Sequence, residues 1–394
     1  MEQSTSGGGP FREQYEGIFG QSWPLFSSAL MVATLNVFLF AYDRPWTASD
    51  GVRNWGDWFF QTLGLTTRSD LISPLLYSGS ILNLGLLLGA FVSALLSREF
   101  AIRVSPPMEL LKGAVGGLLM GVGAVLSFGC NIGGFFSAVS ALSMSGFAMM
   151  LGLTLGAYLG ARYLVWEVEH WPALSTGKSY SFLAVRSSGL GLQPFLGVLF
   201  LLVLLLLPFV YGSQGYSKQA GFLLFGLAFG MIFQRSRFCL VRAFREPFMT
   251  GESDHTRAAA LALVVSMVGF SILKLMDLKD MKDWVFPAFW VGGLLGGFLF
   301  GVGMVLAGGC GAGSIWRAGE GHIKLWVAVA LFALGASLSR IVLVQTELLQ
   351  SLGSAVFLPN VVGWAGAMYV TIFLMAAWYL FATWNEQSRK FSLT

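Results

Sequence analysis

The chain has 394 residues, of which 55% are hydrophobic and 11% charged, with a formal net charge of +4. Soluble domains carry about 25% charged residues, so these charges cannot cover a water-facing surface, and the basic residues form no nucleic-acid footprint. A mean hydropathy of +0.70, with 50 glycines and 13 tryptophans, fits an all-α integral membrane protein, because glycine lets membrane helices approach and tryptophan favours the interface.

The opening stretch, MEQSTSGGGPFREQYEGIFG, is polar and lacks the basic and apolar regions of a secretory signal. The first apolar run is therefore expected to be a retained spanning helix. A span needs about 20 apolar residues. Such runs lie at 22–42, 74–97, 110–129, 146–165, 193–211, 219–235, 257–276, 287–307, 325–344 and 361–383, which predicts ten crossings. Residues 55–65 read as interfacial. The segments 131–143, 237–248 and 311–318 are too short to span and read as half-helices dipping into the bilayer, or as surface loops.

With ten crossings, the side holding the N-terminus collects about 16 of the 24 Lys and Arg residues. Arg98, Arg103, Lys112, Arg162, Arg235, Arg237, Arg242, Arg245 and Arg257 are among them. Both termini are then expected to be cytoplasmic. The expected organisation is a cytoplasmic N-terminus over 1–20, a membrane repeat over 21–185, a second repeat with extra helices over 186–385, and a tail over 386–394.

The repeat is visible in the sequence. GGLLMGVGAVLSFGC (116–130) aligns with GGFLFGVGMVLAGGC (296–310), and both copies end in Gly-Cys. One copy lies on the third span and the other on the eighth. An odd separation makes them run in opposite directions, as in the inverted repeats of secondary transporters. Gly113, Gly117 and Gly121 lie four apart, as do Gly293, Gly297 and Gly301, and so mark tight helix packing.

The three cysteines, Cys130, Cys239 and Cys310, show neither CxxC nor zinc-ligand spacing. Two of them sit in glycine-rich breaks, with Gly129, Asn131 and Gly133 around Cys130, and Gly309, Gly311 and Gly313 around Cys310. The start of a half-helix presents free N–H groups and a positive dipole end, a suitable place for a desolvated anion. The bland alternative is a glycine-rich loop with a buried thiol. Cys239 lies among Arg235, Arg237, Arg242 and Arg245, which serve topology and also form an anion funnel or a docking patch for an acidic partner. Glu320 and His322 lie just past the second break and are weaker candidates; His170 and His255 offer no metal pairing. No P-loop, GxSxG or HExxH occurs, so no cofactor and no built-in ATP hydrolysis is expected.

At GCNIGGFFSAVS (129–140), FGMIFQRSRFCLVRAFREPFMTG (229–251) and AGGCGAGSIWRAGEGH (307–322) the chain resembles the YeeE/YedE sulfur-transport family, and its YedE branch in particular. The resemblance implies an hourglass-like inner-membrane protein that imports a small inorganic sulfur anion, such as thiosulfate, past Cys130, Cys239 and Cys310. It also implies a link of that branch to selenium metabolism, and a small TusA-like sulfur carrier as cytosolic partner. One departure stands out. The region about 36–60, which matches the Cys239 position in the first half, has no cysteine, and Asp43 and Arg44 are expected at the entrance.

Three function classes follow. A transporter passes a small sulfur anion, or alternatively a selenium compound, between thiols, in which a weak S–H donor suits a soft sulfur atom. A membrane sulfurtransferase takes the sulfur covalently as a persulfide. A scaffold only anchors a partner and has no need of paired Gly–Cys breaks in the bilayer.

Overall fold

The computed structural model describes residues 10–66, 70–172, 177–183 and 191–393. Residues 1–9 of the expected N-terminal segment, and the repeat boundary drawn at 185/186, lie outside these. The labelled helices are α1 (Leu25–Tyr42), α2 (Ser49–Thr62), α3 (Ser78–Leu96), α4 (Pro107–Leu126), α5 (the π-wound Asn131–Ser137), α6 (Met144–His170) and α7 (Leu192–Ser213). They continue as α8 (Ser217–Ser236), α9 (Leu240–Met249), α10 (Asp254–Leu275), α11 (Val291–Ala307), α12 (Gly311–Gly319), α13 (Ile323–Gln345) and α14 (Leu358–Ser388). Among the described residues, ten helices are long and apolar enough to cross a membrane, one for each expected span. The protein is an all-α, multi-pass membrane protein. Its described strand pairing is one short antiparallel match of Ile102–Val104 with Tyr180–Phe182.

Glycine sets the helix spacing. On α4 a Cβ at Gly116 would meet Gly303 O at 2.5 Å, and one at Gly123 would meet Gly296 O at 2.5 Å. Residue numbers rise on one helix as they fall on the other, so α4 and α11 cross antiparallel. The same pairs meet from the other side, at 2.6 Å for Gly296 and for Gly303. Only a missing side chain allows backbones this close.

The neighbouring pairs run parallel. Gly117 of α4 faces Ala328 of α13, and Gly121 faces Ala336. Gly152 and Gly156 of α6 face Leu294 and Phe298 of α11. Gly85 and Gly89 of α3 face Leu223 and Leu227 of α8. On the α1–α10 pair, Asn36 Nδ2 donates to Ser266 Oγ at 3.4 Å and Phe40 meets Phe270 at 4.4 Å between centroids. Every one of these directions agrees with ten alternating crossings.

Between the spans lie four half-helices: α2, α5, α9 and α12. Three were expected from sequence. The stretch 55–65, expected at the interface, overlaps the second half of α2. Gly56 and Asp57 are buried there, while Phe59, Leu63 and Leu65 are exposed. A Cβ on Gly56 would lie 2.1 Å from Ala333 O, so α2 packs on α13 at that point. α7 and α14 are far less covered by protein and present apolar faces outward.

Candidate functional site

Each half-helix begins at its N-cap residue. Those residues are Ala48 for α2, Cys130 for α5, Cys239 for α9 and Cys310 for α12. So every cysteine of the chain caps a half-helix, and all three are buried and unpaired. A cap residue has extended backbone, and its side chain turns back over the free N–H groups of the first turn. Cys310 does this: its Sγ accepts from Gly313 N at 3.3 Å, while its carbonyl accepts from Ser314 N at 2.7 Å. At Cys130 the carbonyl accepts from Gly134 N at 2.6 Å.

The four starts converge. A Cβ on Gly311 would lie 3.4 Å from Cys130 Cβ and 3.7 Å from Ala48 Cβ. Two residues on, a Cβ on Gly313 would lie 3.2 Å from Cys310 Sγ and 3.9 Å from Cys239 Sγ. The first turn of α12 is thus flanked by Cys130 on one side and by the Cys239–Cys310 pair on the other. Gly311 and Gly313 let these neighbours come within contact distance of its backbone, with Phe332 also 3.2 Å from the Gly311 Cβ position. Asn131 lies beside the Cys310 thiol, is 0% exposed, and has neither Nδ2 nor Oδ1 hydrogen-bonded among the described residues. A buried carboxamide left unpaired costs about 1–3 kcal/mol, and here it faces the thiols.

Gly129, Gly133 and Gly309 shape the breaks. A Cβ on Gly133 would meet Thr47 Oγ1 at 2.3 Å, and one on Gly309 would meet Ser314 Oγ at 2.8 Å. Where a cysteine was missed in the first half, two hydroxyls stand instead. Ser49 Oγ accepts from Cys130 N at 3.0 Å, and Thr47 Oγ1 lies 3.9 Å from Cys130 Sγ. Both line a cavity of about 170 Å³ with Asp50, Arg53, Phe128 and Arg340. It lies at the end of α1 and α4 opposite the N-terminus. None of these lining residues was singled out in the sequence, because no glycine or cysteine marks the start of α2.

The charged candidates separate. Asp43 pairs with Lys218 at 3.2 Å, and Arg44 pairs with Asp50 and stacks on Tyr77 at 5.7 Å; both brace the break and neither lines the cavity. Arg235 is buried, bonds Gln21 O and anchors the N-terminal approach to α1. Arg242 pairs with Glu246 and Glu252, both at 3.3 Å. Arg237 and Glu320 are joined at 2.5 Å on the far side of the thiol pair. Burial, together with Arg317, Arg103 and Arg237, pushes the His322 imidazole down to about 3, so it is neutral near pH 7. Among the described residues no His, Cys, Asp and Glu group of metal-binding size occurs.

Comparison with known proteins adds the chemical class. The sequence matches the family described as Sulphur transport over residues 8–159 and 235–393. It is 26% identical over 321 residues to the probable transporter YedE of Escherichia coli strain K12, covering 77% of each chain. It is 40% identical over 114 residues to the thiosulfate transporter TsuA of Spirochaeta thermophila, covering 29% of this chain and 34% of that one. Against the thiosulfate transporter TsuA of Escherichia coli strain K12 it is 36% identical over 125 residues, 32% of this chain and 35% of the other.

Proposed function

The chain belongs to the sulphur-transport family, and from that premise we propose that it imports a thiosulfate-like anion past three half-helix thiols. The supporting observation is that Cys130, Cys239 and Cys310 each cap a half-helix and meet around the first turn of α12. The anion enters the cavity lined by Thr47, Ser49, Arg53 and Arg340. It sheds water there against hydroxyls and cations, and Cys130 takes its soft sulfur end by an S–H hydrogen bond. It then passes Gly311 and Gly313 to Cys310 and Cys239. The half-helix N-termini supply positive dipole ends, so no counter-cation has to travel with it. No bond to sulfur is made or broken in this route, which sets it apart from a persulfide-forming transferase.

The antiparallel crossing of α4 and α11 supports an inverted repeat, with the thiols at its midplane. Placing both termini in the cytoplasm puts the cavity outside and the Arg237 end inside, where a small TusA-like sulfur carrier is the expected acceptor. Competition tests the substrate class. Excess thiosulfate should depress uptake of labelled thiosulfate at least about tenfold more than equimolar sulfate does, because one hydrogen bond to a charged group contributes about 1.5–3 kcal/mol. Equal competition by sulfate contradicts recognition of a soft sulfur atom.

A further inference from the structure

Past the thiol pair, α12 carries one polar face. Gly313, Trp316 with Arg317, and Glu320 follow at spacings of three and four, so they share a side of the helix. At 1.5 Å per residue the stripe runs about 10 Å away from the thiols. The end of α8 closes over it. Arg237 is the C-cap of α8, held at φ 58, a left-handed conformation that few non-glycine residues adopt. It stands two residues before Cys239. That backbone turn aims its guanidinium at the stripe, 5.5 Å over the Trp316 ring.

Two carboxylates meet the Arg237 guanidinium, and one of them, Glu99, also has Arg235 Nη1 at 3.6 Å from its Oε2. Arg237 Nη1 meets Glu320 Oε1 at 2.5 Å, and Arg237 Nη2 meets Glu99 Oε2 at 2.7 Å. Gln234 Nε2 bridges the same two oxygens, at 2.7 Å to Glu99 and 3.1 Å to Glu320. The Glu320 side chain is 1% exposed, whereas Arg237 and Glu99 are 41% and 40% exposed. The cluster is therefore sealed toward the thiols and open toward solvent. Two buried polar atoms beside it have no hydrogen-bond partner among the described residues: Trp316 Nε1, a donor, and Glu320 Oε2. A planar guanidinium fork bonds a dianion as readily as it bonds two carboxylates.

We propose that Arg237 is an anion-exchange gate, in which Glu99 and Glu320 hold the place of the cargo until an emerging sulfur dianion displaces them. The inference rests on the transport reading above and adds its exit step. With the gate shut, the guanidinium and the Trp316 ring cover the route from Cys239 and Cys310. The emerging dianion takes the guanidinium and the free Trp316 N–H. Glu99 swings into solvent, and the buried Glu320 carboxylate keeps Gln234 Nε2 at 3.1 Å from Oε1 and His322 Nε2 at 3.7 Å from Oε2. When the anion leaves, the carboxylates return. Unlike a fixed cationic site, this one releases its anion, because an internal competitor is always at hand.

Thiol labelling from the Arg237 side tests the gate without thiosulfate. Inverted vesicles are treated with a sulfonate-bearing methanethiosulfonate or its trimethylammonium counterpart, and modification of Cys239 and Cys310 is followed by mass spectrometry. Glu99→Gln, which alters a half-exposed side chain, should speed labelling by the sulfonate reagent about tenfold and leave the cationic reagent no faster. Glu320→Gln should do the same. In an Arg237→Gln background the Glu99→Gln acceleration should vanish. Unchanged sulfonate labelling in both Gln variants overturns the gate. So does equal acceleration of both reagents, which marks loosened packing, or an acceleration that survives Arg237→Gln. Gated labelling in a protein that takes up no thiosulfate would sink the substrate reading alone; full thiosulfate uptake with ungated labelling would sink the gate alone.

Discussion

Ser, Thr, Asp and Asn normally cap helix starts because their oxygens accept well from backbone N–H groups. Cysteine accepts weakly, yet it stands at the N-cap position of three half-helices here, where only the Cys310 side chain accepts a capping hydrogen bond, and Ala48 stands at the fourth. On the proposed transport reading, a soft solute passes these positions. The glycines beside the caps matter for the same reason. A Cβ at Gly313 already sits 3.2 Å from Cys310 Sγ, so the branches of valine fill the space between that thiol and Cys239. Gly313→Val should lower thiosulfate uptake about tenfold or more, as overpacking of about 1–3 kcal/mol at the passage implies. Uptake at the wild-type rate would place the route elsewhere. Cys130 and Cys310 were legible because the motif Gly-Cys repeats, and Cys239 because arginines crowd it. The hydroxyls of Thr47 and Ser49 were not, because AYDRPWTASDG reads as an ordinary loop. Nor was the Arg237 ion-pair cluster: Glu99 lies 138 residues from Arg237, and no local pattern joins them.

Among the helices, the α4–α11 crossing has no slack. Each backbone lies where the other's side chains would be, at Gly116, Gly123, Gly296 and Gly303. Gly296→Val puts its Cβ 2.6 Å from Gly123 O and must force the helices apart. The cost should be at least about 2 kcal/mol, seen as a lower Tm in detergent. Gly212→Val, where nothing lies within 4 Å, should leave the Tm in place. A Gly296→Val protein as stable as wild type would mean that the crossing is looser than its geometry. The glycine stripes announced this contact, since small residues four apart have few other uses in a membrane helix. The sequence did not reveal that α2 is a fourth half-helix. Its polar residues, among them Asn54 and Asp57, are buried against protein, where composition suggests an interface.

At the scale of the whole molecule, hydrocarbon thickness made ten spans readable from run length alone. The parallel and antiparallel contacts then agree with a chain that alternates direction at every span. Such a frame brings the ends of distant helices to one level, which is why residues 130, 239 and 310 meet although they are far apart in the chain. Its two ends are differently built. One holds a cavity of about 170 Å³ with hydroxyls and arginines, and the other holds the Arg237 cluster. The most direct measurement is uptake of labelled thiosulfate by proteoliposomes holding wild type, Cys130→Ala or Cys310→Ala at matched protein levels. The account predicts that each substitution lowers uptake about 10- to 100-fold, the loss of one hydrogen bond to a charged solute. Wild-type uptake by both variants would contradict it.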